Sequence, residues 1–247
     1  MIDKTRIRAA LDDLIADEAA ATTRIWICEQ LAATFKTLGQ TLWVGGSMFG
    51  PDRINGTSPF GFGSDGAVGL ATVVQTGDEL GAGAIALLHA ENKYAAAALE
   101  RQIVEVEYLA AAFADDHTTA MAWLHADRDT RRKFWTPAEL RRRSGGRFAD
   151  SDYWHHCDFG GHPTRDGMRL LPDHTVTIDT AFLWAELAHH LSSTWVHSKR
   201  ATEQLMPEVL ASGWWRDVDA DVDRWREQDG LASALHHLST ALRAGVS

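Results

Sequence analysis

The sequence predicts an all-α protein, a helical bundle with long Gly-rich and Pro-containing loops. Apolar residues recur at spacings of three and four over several long segments, as on the buried face of a helix. The tetrapeptide 136–139 (TPAE) is a capping box with proline at the first helical position, a specific start signal. Only the short run Val68–Val74 resembles a strand, and no internal repeat is present.

In the amino-terminal part, the helical pattern extends from Asp3 to about Leu42 and breaks at Gly45-Gly46. The segment from Gly45 to Gly69 is rich in Gly, Pro, Asn and Ser, so we expect a long loop or lid. It contains neither GxGxxG nor GxxxxGK[ST], which argues against a phosphate-binding loop. These residues form the first predicted unit, 1–77.

The second predicted unit, 78–247, is a helical bundle that we expect to form one compact body with the first. Its longest predicted helix, from Asp78 to about Ala114, contains no proline. Three shorter helices are expected next: Thr118–His125, a helix from Pro137 that stops at 144–146 (SGG), and a helix with its cap at Asp150 or Ser151 that runs through Cys157 and stops at 160–161 (GG). Two longer helical segments follow, at about Thr177–Glu203 and at Pro207–Ala244, the latter with a break at Gly230.

Composition excludes several classes of protein. The chain has 247 residues with 24 Lys and Arg against 34 Asp and Glu, a net charge of −10 that argues against broad, salt-driven nucleic-acid binding. The charged amino terminus predicts no secretory leader, and no apolar run approaches the roughly 18 residues of a membrane span. Cys28 and Cys157 form no CxxC pair. We therefore expect a cytoplasmic protein with reduced thiols and no membrane association.

One polar stripe lies on the predicted helix around residue 101. Arg101, Glu105 and Tyr108 stand at i, i+4 and i+7 and therefore share a face. The surrounding helix is apolar almost all round, which places the pair partly inside the protein. The stripe is either a structural salt bridge or part of a site.

A second stripe lies on the helix around residue 190. Glu186, His190, Ser193 and His197 share one face, so two imidazoles and a carboxylate could bind a metal or transfer protons. His190 and His197 are two turns, roughly 10 Å, apart, and the HExxH spacing is missing. The alternative is a pair of structural histidines.

The segment 154–163 (WHHCDFGGHP) holds three histidines, one Cys and one Asp. It could supply two or three of the four ligands of a zinc site, but no second cluster with ligand spacing is visible. We therefore expect no metal and no cofactor. The final GGHP instead suggests a rigid turn that directs His162 into a cleft.

A basic segment follows residue 130, with aromatic Phe134 and Trp135 between its charges. It could hold a phosphate backbone while the aromatic rings stack on bases, or it is simply a solvated helix face. Its positive residues are Arg131, Arg132, Lys133, Arg141, Arg142, Arg143 and Arg147.

Three segments together resemble a mainly actinobacterial family of unknown function that is similar to HEPN and abortive-infection helical proteins. They are RQIVEVEYL at 101–109, CDFGGHPT at 157–164 and LSSTWVHS at 191–198, and the similarity covers about residues 85–200. The resemblance implies a helical bundle in which an Arg/Glu pair faces a histidine from a later helix.

Active HEPN ribonucleases carry Arg-x4–6-His on one helix and cut RNA without metal, using His for proton transfer and Arg for phosphate charge. The one formal match here, Arg169 to His174, contains Leu and Pro and is expected to be a loop. A site would therefore have to combine residues from several helices. The implied catalytic residues are Arg101, Glu105, His162 and His197, and the implied substrate-binding residues are Tyr108, Arg141, Arg142 and Arg147.

Three hypotheses remain open from the sequence. The first is a HEPN-like, metal-independent ribonuclease of stress or phage defence, with RNA or a nucleotide as partner and a homodimer as a candidate assembly. The second is a non-catalytic nucleotide- or protein-binding module. The third is a metal-dependent hydrolase that uses the histidine clusters.

Overall fold

The computed structural model describes residues 12–48, 63–172 and 180–232. Within these ranges the regular structure is helical and contains no strand, so the predicted all-α class is confirmed. The helices are α1 Glu18–Met48, α2 Asp65–His89, α3 Lys93–Asp115, α4 Thr118–Leu124, α5 Arg128–Phe134, α6 Pro137–Arg143, α7 Asp150–His156, α8 Thr180–Leu205 and α9 Arg216–Gln228. A π-helical turn, Cys157–Gly161, continues α7, and short 3₁₀ turns lie at Gly167–Leu170 and Pro207–Val209.

The four long helices α1, α2, α3 and α8 form the bundle, and each packs against neighbours through a continuous apolar core. Burying these side chains is the main stabilising contribution, about 25 cal/mol per Å² of apolar surface. The largest fully buried side chains include Phe35, Tyr108, Phe113, Trp195 and Trp225.

Helix directions follow from the contacts between them. Gly39 of α1 lies against Gln75 of α2, and Gly46 lies against the earlier Ala67, so these helices run in opposite directions. Gly77 of α2 lies against Val106 of α3, and Gly83 lies against the earlier Leu99, so this pair is antiparallel as well. His190 of α8 contacts Glu107 of α3, and Gln204 farther along α8 contacts Ala114, so α8 runs parallel to α3. A parallel neighbour requires a long crossover, and α4–α7 occupy it.

The crossover carries α7 and the π turn onto the side of the bundle. The π turn packs closely on α3, where the backbone of Gly160 meets that of Ala97. A Cβ on Gly160 would lie 2.3 Å from the Ala97 carbonyl carbon, so this approach requires glycine. The contact fixes where the last residue of α7, His156, enters the core.

The predicted strand Val68–Val74 is wrong, because these residues belong to α2. Ser64 caps this helix by accepting a hydrogen bond from the Ala67 backbone N–H, and the valines face the core. Gly69 lies so close to α4 that a Cβ would be 2.5 Å from the Ala120 carbonyl oxygen. Helix packing thus overrides the β preference of valine.

Several predicted boundaries also differ. The helix around Gly45-Gly46 continues to Met48, whereas the amino-terminal helix pattern is interrupted at Ala16-Asp17 before α1. The long helix expected over 78–114 is two helices. Glu91 adopts a left-handed conformation with φ of 56°, and Asn92 caps α3. Residues 77 and 78, the expected unit boundary, lie inside α2, and most of the predicted Gly-rich loop, 49–62, lies outside the described residues.

The predicted start and end of α6 are confirmed. The Thr136 hydroxyl accepts from the Glu139 N–H at the start of α6, and the helix ends at Ser144 before two glycines with positive φ. The expected cap at Asp150 or Ser151 is different, since Ala149 holds the N-cap position without a side-chain bond.

Candidate metal centre

Three helices bring histidine and carboxylate side chains together inside the bundle. Glu107 comes from the middle of α3, His156 from the end of α7, and Glu186 and His190 from successive turns of α8. All four are largely shielded from solvent, and the side chains of His156, Glu186 and His190 are 6%, 14% and 4% exposed. Polar groups at such depth require partners.

Three of these side chains direct ligand atoms at one point. The Nε2 atoms of His156 and His190 are 3.0 Å apart, and Glu186 Oε2 lies 3.8 Å and 3.6 Å from them. A point equidistant from the corners of this triangle lies about 2.0 Å from each atom, which matches zinc–nitrogen and zinc–oxygen bonds of about 2.0–2.2 Å.

The fourth side chain supports one ligand from behind. Glu107 Oε2 is 2.7 Å from Nδ1 of His190, whose Nε2 points at the triangle. A carboxylate on the far nitrogen of a metal-binding histidine fixes the ring orientation and makes the ligand more basic. His190 therefore has the environment of a metal ligand.

The electrostatics of the metal-free site are those of a tight ion pair. Burial opposes charge on His190, but the hydrogen bond to Glu107 and the nearby Glu186 carboxylate outweigh it and hold the pKa of His190 well above its usual value. Burial would raise the pKa of Glu186, yet the neighbouring histidines lower it to about 2. Burial and the charge of His190 lower the pKa of His156 to about 3. His156 is thus a neutral imidazole, the form that binds metals.

Two further acids interact electrostatically with this cluster, although among the described residues only His156, Glu186 and His190 bring ligand atoms close enough together for one ion. Glu100 lies seven residues before Glu107 on the same face of α3 and is 4% exposed. It interacts electrostatically with Glu186 and His190, and within the described ranges its buried Oε1 has no hydrogen-bond partner. Asp152 stands one turn before His156 and interacts with His190 and Glu186. Burial is the main cause that raises the pKa of both carboxyls.

Two of the sequence-predicted catalytic residues form the expected pair. Arg101 Nη1 is 2.7 Å from Glu105 Oε1, and Tyr153 O–H donates to the same oxygen at 3.3 Å. Both charged side chains are partly exposed. The pair lies on another face of α3 from Glu100 and Glu107.

The two predicted catalytic histidines, His162 and His197, have different neighbours. His162 is exposed and follows Gly161, which packs against the Arg101 side chain. His197 lies beside Phe148, with ring centroids 6.5 Å apart, and burial lowers its pKa. Among the described residues, no hydrogen bond or ion pair joins either histidine to Arg101 or Glu105.

The predicted substrate-binding arginines are each engaged in an ion pair. Arg141 Nε binds Asp150 at 2.7 Å and stacks over the Tyr153 ring, whereas Arg142 binds Glu139. Arg147 binds Asp115 at 2.9 Å. The Arg141 pair joins α6 to α7 and the Arg147 pair joins the segment after α6 to α3, whereas the Arg142 pair lies within α6.

Tyr108, the fourth predicted substrate-binding residue, is buried against Phe148, and its buried hydroxyl has no hydrogen-bond partner among the residues that the structure describes. Its ring lines a cavity of about 150 Å³ between α3 and α6, together with Asp115, Arg143 and Arg147. This volume suits a group of the size of a phosphate or carboxylate, not a whole nucleotide. His174, the second residue of the Arg169–His174 match, lies outside the described residues.

No family model matches the chain, and neither the curated proteins nor the solved structures contain a significant match to it. The resemblance to HEPN-like proteins therefore stays a prediction. Among the described helices, none is long and apolar enough to cross a membrane.

Each half of the metal-ligand set was visible in the sequence as a separate histidine segment. Glu186 and His190 share a face of one helix, and His156 lies in the cluster 154–163. The packing of α7 and the π turn on α3 brings these two segments together. Sequence spacing cannot predict such a contact, because the helices that carry His156 and Glu186 are thirty residues apart. Glu107 was missed because its neighbours Glu105 and Tyr108 dominated the pattern on α3.

Proposed function

We propose that the protein is a metalloenzyme that holds a divalent transition metal through His156, Glu186 and His190. The observation that carries the proposal is the triangle of two Nε2 atoms and one carboxylate oxygen, whose centre lies about 2.0 Å from each atom. It develops the metal-dependent hypothesis and departs from the expectation that no metal is bound.

The ligand set favours iron. Two imidazoles and one carboxylate leave coordination positions open, which is the arrangement of non-haem Fe(II) oxygenases, although Zn²⁺ also accepts two histidines and a glutamate. The burial of all three ligands favours a small reactant such as dioxygen over a polymer that must touch the metal. We therefore assign the protein to the iron-dependent oxidases or oxygenases.

The chain's own residues would perform three tasks at such a centre. His156, Glu186 and His190 bind the metal, Glu107 orients His190, and the apolar core around them excludes bulk water. Bound Fe(II) supplies electrons for the reduction of dioxygen. Metal binding replaces the contact between the two imidazole Nε2 atoms, so His190 must release its proton.

Metal analysis tests the assignment directly. Protein purified without chelator is loaded with Fe(II) under anaerobic conditions and desalted, and its iron is measured by mass spectrometry. We expect the wild type and the His155→Ala control, which changes an exposed neighbour, to retain iron, and His190→Ala to retain none. Loss of iron from all three proteins contradicts the metal centre.

Dioxygen uptake tests the reaction class. With Fe(II) and ascorbate in the electrode chamber, we expect wild-type protein to consume dioxygen faster than the same iron with His190→Ala. If iron binds but uptake equals that of the variant, oxidase chemistry is wrong. Hydrolysis of a model ester with Zn²⁺ then becomes the next assay, as the sequence-based hydrolase hypothesis requires.

The ribonuclease hypothesis is supported by one local feature. Gly161 packs on the Arg101 side chain and is followed by exposed His162, so an arginine and a histidine reach the same surface. Cleavage of RNA in the presence of EDTA, lost in His162→Ala but not in His190→Ala, would establish it. No cleavage, or equal cleavage by all variants, would exclude it.

A further inference from the structure

The proposed metal ligands belong to a larger set of acidic and histidine side chains in the core. Three helices each direct two side chains to one region, at spacings that place both on one helix face. These pairs are Glu100 and Glu107 on α3, Asp152 and His156 on α7, and Glu186 and His190 on α8.

Within this set Glu100 has no structural partner. Its side chain is 4% exposed, yet Oε1 makes no hydrogen bond within the described part of the chain. A buried carboxylate oxygen without a donor costs free energy and is rare in folded proteins. Because Glu100 interacts with Glu186 and His190, its unpaired oxygen belongs to the region of the metal centre.

Charge supports an additional cation. The region contains four acids, and a single divalent ion would balance the charge of only two of them, so the others would have to stay protonated. Carboxylates and histidines on the facing helices of a bundle are also the ligands with which such bundles hold two metal ions in their core. Two divalent ions would balance four carboxylates.

We propose that the core holds a second divalent metal ion beside the first, with Glu100 and Asp152 as its ligands and Glu186 as the carboxylate shared by both ions. The inference rests on the proposed metal centre and extends it from one ion to a pair. Glu107 remains the partner of His190 behind the first ion. Iron or manganese fits both positions, since each accepts imidazole and carboxylate ligands.

The number of metal ions bound per chain distinguishes the proposed pair of ions from the proposed single metal centre. Wild-type protein is loaded anaerobically with Mn(II), desalted, and assayed for metal per chain. We expect two ions in the wild type and in Glu105→Gln, which changes a partly exposed acid on the same helix. We expect one ion in Glu100→Gln. One ion in the wild type overturns the pair alone, and none overturns the metal centre as well.

Electron paramagnetic resonance gives an independent criterion. Two adjacent Mn(II) ions couple and broaden the signal, whereas a single ion gives an isolated six-line spectrum. We expect the coupled spectrum in the wild type and the isolated one in Glu100→Gln. If Glu100→Gln fails to fold by circular dichroism, Asp152→Asn, a partly buried position, takes its place. An isolated spectrum in metal-saturated wild type contradicts the inference.

Discussion

Glu107 Oε2 lies 2.7 Å from Nδ1 of His190, in a buried contact between α3 and α8. The bond aims the opposite ring nitrogen at His156 and Glu186. It therefore links the packing of two long helices to the geometry of the candidate centre. A residue of this kind influences the metal without touching it.

We expect Glu107→Gln to weaken metal binding by about 10–100-fold while leaving the number of bound ions unchanged. The amide keeps a hydrogen bond to His190 but removes the negative charge that makes the imidazole a better ligand. Competition with a chelator of known affinity measures the change. Glu105→Gln serves as the control and should bind as the wild type does. Complete loss of metal in a folded Glu107→Gln protein would assign Glu107 to the metal itself.

The metal-free protein should be most stable near neutral pH. Its folded-state pKa values are about 3 for His156 and about 2 for Glu186, below the ordinary values of about 6.5 and 4.3, so the unfolded chain binds more protons in acid. Stability is therefore lost as pH falls from about 6.5, and further below about 4.3. The pKa of His190 is raised, so its contribution is complete below about 6.5 and is lost as pH rises through its folded-state pKa.

Melting temperatures in chelator from pH 4 to 9 measure this profile. We expect His156→Gln to reduce the decline that begins near pH 6.5, because the variant has no imidazole at this position to protonate, while buried His189, whose pKa is lowered to about 4, still contributes. An unchanged slope between pH 6.5 and 4.5 in this variant would show that His156 does not cause the acid sensitivity.

Gly160→Ala should disturb both the fold and the centre. The new Cβ would lie within 2.5 Å of three backbone atoms of Ala97 and Ala98, and backbone cannot move aside as a side chain can. Overpacking of this kind costs typically about 1–3 kcal/mol. Because the π turn continues α7, we also expect weaker metal binding through displaced His156.

Gly81→Ala is the matched control for this test. Its nearest neighbour is Leu191 Cδ2 at 3.2 Å, the tip of a flexible side chain, so the helix should gain stability or change little. Thermal melting and chelator competition on both variants check the prediction. Equal effects at the two positions would contradict the role of the Gly160–Ala97 contact.

Local sequence rules account for much of the fold. Thr136 and Pro137 predict the start of α6 because a cap depends on adjacent residues only, and the apolar spacing predicts most of α8. The rules fail where distant helices decide the outcome. Val68–Val74 has strand-like residues, but its glycine neighbours allow α1 and α4 to approach, and the segment is helical.

The candidate centre shows the same limit. The i, i+4 spacing of Glu186 and His190 is local and visible in the sequence, whereas their meeting with His156 depends on the path of the crossover. The Arg101–Glu105 pair was predicted from spacing and is present at 2.7 Å. Its combination with His162 and His197 required long-range contacts, and the described residues contain no such hydrogen bond or ion pair.

Helix α9 is attached to the bundle by a buried ion pair. Asp229 accepts from Arg24 Nε at 2.6 Å and from Trp225 Nε1 at 2.9 Å through Oδ2, while its Oδ1 accepts from Arg24 Nη2 at 2.8 Å and from the Leu231 N–H at 3.0 Å. Both charged side chains are almost fully buried. The pair joins α1 to the end of α9, residues 205 positions apart in sequence.

We expect Arg24→Met to destabilise the protein by about 3–5 kcal/mol, because it leaves the Asp229 carboxylate buried without its cation. Arg142→Met is the matched control, since the Arg142 pair with Glu139 is exposed and worth at most about 1 kcal/mol. Urea denaturation gives both free energies of unfolding. The double variant Arg24→Met/Asp229→Asn should recover part of the loss, because no unpaired charge remains in the core. Equal destabilisation by Arg24→Met and Arg142→Met would show that the buried pair does not hold α9 on the bundle.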